Sequence, residues 1–298
     1  MQLLYPLCVV LTLAAAAAEP LMITPLLEAG KLEEARQLSR VTIDSVSMGH
    51  TGFFSVPTAS GLNTNQLFAW YQPCLEGCDA DTPLIHYFNG GPGSPSVLNG
   101  GMAQAGSWFV HNDSLQLKTR CYSLCRKNHC LFVDQPAMTG FSFQTNSSGS
   151  ANRGKSIEYT ETSSQAMQQV YQVLQQFLRV WPAMQKQPYY IEGLSYAGIY
   201  VPWMAYTVWQ HNLALKDRSV HVNLRGMAVG DPVMDNAYQY PTYAATLHGM
   251  GVVMEDERDQ LAAIFANATR YVAQRVCALV FSLLLFFLAP LLFALPCD

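Results

Sequence analysis

Charge is scarce in this chain. Of 298 residues only 13% are Asp, Glu, Lys or Arg, and the net charge is −4. With no basic stripe along the sequence, the electrostatic reason to expect a nucleic-acid partner is missing. Internal repeats are absent as well, and the one low-complexity tract is an alanine run near the N-terminus. What is abundant is apolar surface. Half of the residues are hydrophobic, enough to bury a sizeable core and to argue against disorder. The length suits one large domain or two small ones.

The two ends stand apart from the rest. Leu7 to Leu13 is an apolar stretch, followed by alanines up to Ala18 and then Glu19 and Pro20. Small residues behind a short apolar core are the pattern of a secretory signal peptide, although Lys and Arg are lacking in front of it. Val276 to Pro296 is a second apolar run, free of charge and interrupted by Pro290. Its length fits a bilayer span, and its place near the C-terminus behind small residues also fits a GPI-type signal. The expected organisation is therefore a signal peptide over 1–18, a domain over 19–275 and a hydrophobic tail over 276–298. The secretory reading predicts glycosylation at Asn112, Asn146 and Asn267, each of which opens an N-x-S/T sequon. It places the protein in the secretory pathway, secreted or lysosomal, with a possible membrane tether in the tail.

Eight cysteines are present. With Cys8 in the signal and Cys277 and Cys297 in the tail, Cys74, Cys78, Cys121, Cys125 and Cys130 remain. In an oxidising compartment these pair and leave one over. Their three-residue gaps do not match the two-residue knuckle of a zinc site, so disulfides are the expectation. No metal or cofactor is implied.

Between the ends, strands and helices alternate. Thr51 to Pro57 and Gln66 to Pro73 read as a strand pair. Pro83 to Phe88 and Cys130 to Val133 read as short apolar strands. Met167, Val170, Tyr171, Leu174, Phe177, Leu178 and Trp181 recur at helical steps, a packing stripe that Pro182 ends. Tyr189 to Glu192 predicts a strand, Tyr196 to His211 a helix and Leu224 to Gly230 a strand. This alternation predicts an α/β fold with a mainly parallel sheet.

Gly193-Leu194-Ser195-Tyr196-Ala197-Gly198 falls between a predicted strand and a predicted helix. Small residues flanking a serine at that junction define a nucleophile elbow, a sharp turn that lifts the hydroxyl above the sheet. Ser195 is therefore the candidate catalytic nucleophile.

Several motifs accompany it in order: Asn89-Gly90-Gly91-Pro92-Gly93, then Phe132-Val133-Asp134-Gln135-Pro136, and Thr139-Gly140-Phe141-Ser142. Ser195-Tyr196-Ala197-Gly198 with Tyr200-Val201-Pro202 follows, and Leu224 to Asp231 comes last. Together they resemble the serine carboxypeptidase family, and Thr24 to Arg36 is similar to its animal vitellogenic-like branch. The resemblance runs from about Met22 to Leu261. It implies an α/β-hydrolase fold, incomplete at its C-terminal side, with the start of a cap. It implies that the amides of Gly91 and Tyr196 form an oxyanion hole. It also implies that Asn89 binds the carboxylate of a peptide substrate, with Gln104 at the position of a second carboxylate-binding group once one inserted residue is allowed. The implied reaction is removal of C-terminal residues through a Ser195 acyl-enzyme, from a peptide or protein substrate.

Three departures qualify that expectation. The family normally has Glu immediately before the nucleophile, where this chain has Leu194, and its Trp two residues before the Asn is Tyr87 here. Glu192 is nearby and is read as structural. The triad Asp and His belong after later strands, and His211, His221 and His248 do not fall at the expected place for a base. A serine without a base is a poor nucleophile. The alternative is therefore a catalytically inactive carboxypeptidase-like binding protein, or a fragment lacking the triad Asp and His.

Overall fold

The computed structural model describes residues 19–274 except 112, 113, 115, 153 and 216–218. The expected signal peptide, the apolar tail, Asn112, Cys8, Cys277 and Cys297 lie outside the described residues. In chain order the elements begin with α1 (Ile23–Glu28), α2 (Leu32–Leu38), β1 (Arg40–Ile43), β2 (Val46–Pro57), β3 (Thr64–Gln72) and β4 (Leu84–Phe88). A π-helical segment (Ser96–Gln104) precedes β5 (Trp108–Val110), β6 (Leu117–Thr119), β7 (His129–Val133) and β8 (Phe143–Thr145). Then come α3 (Ser163–Val180), β9 (Tyr189–Leu194), α4 (Ala197–Leu213), β10 (Leu224–Gly230), α5 (Asn236–Gly249) and α6 (Glu255–Ala273).

The main sheet runs β1-β2-β3-β7-β4-β9-β10, with β8 also paired to β3. Its right half, β7-β4-β9-β10, is parallel, and its left half is antiparallel. The parallel strands are the ones that feed crossover helices, as that connection requires. The α/β expectation holds, and the parallel character is confined to that half.

Two cores sandwich the sheet. On one face Leu84, Phe88, Leu131, Val133, Tyr189 and Ile191 pack against α3 and α4. The stripe expected from the sequence is the buried side of α3, where Met167, Val170, Leu174 and Phe177 are fully enclosed. Thr162 caps this helix by accepting from the Gln165 amide (3.1 Å), and Pro182 follows its end. On the other face Trp70, Ile85, Tyr87, Val97, Trp108 and Phe132 form a second core under the π-helical segment. Gly100 and Gly101 let that segment lie flat on Tyr87 and Trp70, where a methyl on either would come within 2.8 Å of a ring carbon. A separate cluster of Tyr240, Ala244, Leu261, Phe265 and Ala268 joins α5 to α6.

β10 is the last strand on the parallel side, and Met227 on it and Trp209 on α4 are about half exposed. Disulfides join Cys74 to Cys78 and Cys125 to Cys130, and Cys121 is free and exposed. Among the described residues no helix is long and apolar enough to cross a membrane.

Candidate active site

The strand-to-helix junction expected at Ser195 is present. β9 stops at Leu194, α4 starts at Ala197, and Ser195 between them has φ 62° and is exposed. A left-handed backbone disfavours a residue with a Cβ, so its surroundings must hold it there. They do so with three backbone bonds. Ser195 donates to Gly230 O (3.0 Å) and its carbonyl accepts from the Gly198 and Val233 amides (3.0 Å each). The flanking glycines are sterically required. A methyl on Gly193 would lie 2.5 Å from Ala197 Cβ, and one on Gly198 would lie 2.5 Å from Val233 O.

Over the elbow runs the loop Asn89–Pro95. Gly90 rests directly on it, since a methyl there would sit 2.5 Å from the Tyr196 nitrogen and 2.7 Å from Leu194 O. Gly91 follows at φ 108°, a conformation open to glycine. Among the described residues neither the Gly91 nor the Tyr196 amide donates to a backbone carbonyl. Two amides on segments that touch at Gly90 are thus without a backbone acceptor.

Asp134 ties the start of the π-helical segment and the turn at Phe141 to the sheet, a task that its motif in the sequence did not reveal. Buried at the end of β7, it accepts from the Val97 amide through Oδ1 (2.9 Å) and from the Phe141 amide through Oδ2 (3.1 Å). Its own carbonyl accepts from the Ser142 hydroxyl (2.6 Å). Burial raises the affinity of the carboxyl for a proton, opposed by the amides of Val97, Phe141 and Ser96. Asp134→Asn replaces one acceptor oxygen by a donor and leaves one amide facing it. We expect a loss of about 1–3 kcal/mol in urea denaturation; an unchanged midpoint would refute the anchoring role.

Asn89 and Gln104, fifteen positions apart in sequence, meet. Asn89 Nδ2 donates to Gln104 Oε1 (3.1 Å), and the Tyr87 hydroxyl donates to the same oxygen (2.9 Å). The alignment with one inserted residue therefore identified a side chain that does touch Asn89. Tyr87 is buried, which pushes its phenol up to about 12, and the charge of Glu192 adds to the shift. Glu192 pairs in register with Tyr87 across β4 and β9. Its side chain therefore lies on the Tyr87 face of the sheet, and burial raises its affinity for a proton.

No base is brought to the serine among the described residues. His86 is buried against the Tyr189 hydroxyl (2.7 Å), and burial drives its pKa down to about 3. His211 stacks on Tyr171 (centroids 4.2 Å apart) and meets Gln168 Oε1 (3.2 Å). His248 ends α5, with Nδ1 3.1 Å from Val253 O. His50 and His129 are engaged by Ser39 and by Tyr71. Of the sequon asparagines, Asn146 sits in a turn where its Oδ1 accepts from the Ser148 and Ser150 amides (3.0 Å each). Asn267 is exposed on α6 and accepts from Arg270 (3.1 Å).

A sheet with crossover helices, an elbow serine and a glycine-rich loop resting on it define an α/β-hydrolase. The family model described as serine carboxypeptidase matches residues 42–280, and the chain belongs to that family. It is 32% identical over 239 residues to the vitellogenic carboxypeptidase of Aedes aegypti, covering 80% of this chain and 46% of that one. It is 30% identical to the probable serine carboxypeptidase CPVL of Homo sapiens, with 81% and 48% covered. The crystal structure of KEX1, a prohormone-processing carboxypeptidase from Saccharomyces cerevisiae, superposes with a TM-score of 0.62 at 22% identity. That match covers 75% of this chain and 47% of that one. The chain spans about half the length of the relatives it matches.

Proposed function

We propose that this protein acts on the C-terminal end of peptides as a serine carboxypeptidase, with Ser195 as nucleophile. The observation that carries the reading is Ser195 held exposed at φ 62° beneath the Gly90–Gly91 loop. In this reading Ser195 Oγ attacks the last peptide carbonyl, and the oxyanion accepts from the Gly91 and Tyr196 amides. The serine proton passes to a base and then to the leaving amine, and water hydrolyses the ester. Asn89 and Gln104 contact the C-terminal end of the substrate. The base and its acid partner come from outside the residues described around Ser195. The protein acts in the secretory pathway, after loss of residues 1–18 and with sugar on Asn112, Asn146 and Asn267. The apolar run in 276–298 supplies any membrane attachment.

A second reading has its own support. The Ser195 hydroxyl has no base beside it among the described residues, and Leu194 offers nothing to a carboxylate. Both favour a peptide-binding protein without turnover. A fluorophosphonate probe separates the two on the exported full chain. The enzyme incorporates the label at Ser195, confirmed by peptide mass, and Ser195→Ala loses it. A folded protein that stays unlabelled is the binder.

A further inference from the structure

One side of α3 carries a row of amide side chains. Gln168, Gln172, Gln175 and Gln176 recur at three- and four-residue steps, and Arg179 continues the row. They line a cavity of about 520 Å³, which His211 and Ala214 at the end of α4 and Ser219 beyond it complete. That volume lies in the range of small-ligand sites, roughly 300–1,000 Å³. None of these residues belongs to the Ser195 site. The lining is held by its own hydrogen bonds. Gln175 accepts from the Val220 amide (2.7 Å) and donates to Val220 O (2.8 Å), which ties the segment before β10 to α3. Gln176 donates to Ser55 O (3.0 Å) and accepts from the Thr24 hydroxyl (2.6 Å). His211, stacked on Tyr171, meets Gln168 Oε1 through Nε2. An amide oxygen only accepts, so Nε2 carries the proton there and Nδ1 of the neutral ring is left to accept.

Unused polar groups remain in this lining. Tyr171 lines the cavity at 4% exposure, and its hydroxyl is buried with no hydrogen-bond partner among the described residues. Gln172 and Arg179 are exposed, and among the described residues no hydrogen bond or ion pair engages either side chain. The composition narrows the ligand. The described lining holds no carboxylate, which leaves a cation without a counter-charge. It holds no aliphatic side chain larger than that of Ala214, so a lipid or an apolar peptide side chain finds little to pack on. What it offers is amide donors and acceptors side by side, an exposed aromatic ring at His211 and one guanidinium. Neighbouring hydroxyls of a pyranose match the amides, its C–H face matches the ring, and a carboxylate matches Arg179.

We propose that the cleft between α3 and the end of α4 is a binding site for an acidic sugar, a pyranose that bears a carboxylate. The site shares no residue with the Ser195 turn and does not depend on peptide cleavage. Methyl β-glucuronide, methyl β-glucoside and acetate are titrated into the full chain at neutral pH, with saturation-transfer NMR as the readout. The glucuronide is expected to bind about fivefold more tightly than the glucoside, the scale of an exposed guanidinium–carboxylate pair, and acetate more weakly than either. Arg179→Gln should bring the two sugars within about twofold, while Arg179→Lys, which keeps the charge, should retain part of the preference. Arg179 is exposed, so neither variant threatens the fold. His211→Ala removes the ring and should weaken both sugars alike. Acetate binding as tightly as the glucuronide would reduce the site to a surface cation and overturn the proposal. So would a preference that survives Arg179→Gln, sugar binding that His211→Ala leaves unchanged, or no saturable binding of either sugar. Absence of fluorophosphonate labelling at Ser195 would defeat the catalytic reading alone.

Discussion

Gly90→Ala should slow fluorophosphonate labelling of Ser195 on the order of a hundredfold, the scale of losing one oxyanion donor. It should also destabilise the fold by about 1–3 kcal/mol, the usual cost of overpacking. The added methyl would meet three atoms of the elbow at once: Tyr196 N at 2.5 Å, Leu194 O at 2.7 Å and Ser195 Cβ at 3.0 Å. Two of these are backbone atoms, and the elbow is fixed from behind by Gly230 and Val233. The loop must yield instead, carrying the Gly91 amide away from the Tyr196 amide. Labelling rate and urea denaturation measured on the same preparation check both parts. An alanine variant that labels as fast as the parent would show that the loop and the elbow do not share one oxyanion site.

The elbow was legible because its chemistry is local. A tight strand-to-helix turn needs small residues around the serine, and Gly193, Ala197 and Gly198 announce it within six positions. The loop contact between Asn89 and Gln104 was reachable only through the family resemblance. Their meeting depends on how the π-helical segment folds back, which no local pattern encodes. Asp134 shows the same limit. Its motif was visible, but its work is done by backbone amides from two distant segments. Glu192 reads as structural from the sequence, and its half-buried place on the Tyr87 face follows from the register of β9 against β4. Among the elements, α3 was legible from its apolar stripe, whereas β1 and β8 are too short to show alternation. Helix α6 did carry a signal, because Leu261, Phe265 and Ala268 recur at helical steps and Glu257 receives the Met254 amide (2.8 Å).

These observations divide the molecule into parts with different exposure to change. The first core, under α3 and α4, sets the position of β9 and hence of Ser195. The second core sets the π-helical segment and hence Gln104. Substitutions in the second core should therefore disturb the contacts at the peptide end before they disturb the serine turn, whereas the first core supports both.

Phe177→Ala is the substitution expected to cost most in stability, about 3–5 kcal/mol. Phe177 is fully buried on α3, with its ring 4.9 Å from that of Trp181 and edge-on to Tyr71 at 5.1 Å. Truncation removes the aromatic contacts as well as the transfer term, and β3 and α3 on either side are too regular to collapse into the gap. Against a typical domain stability of roughly 5–15 kcal/mol, that loss is a large fraction of the total. Guanidinium denaturation followed by tryptophan fluorescence reports it directly, since Trp181 lies against the altered site. Gln172→Ala, exposed on the opposite side of the same helix, should stay within about 0.5 kcal/mol of the parent. If Phe177→Ala loses less than about 1 kcal/mol, α3 does not seat on the sheet through this ring, and the link from the first core to the position of β9 fails with it.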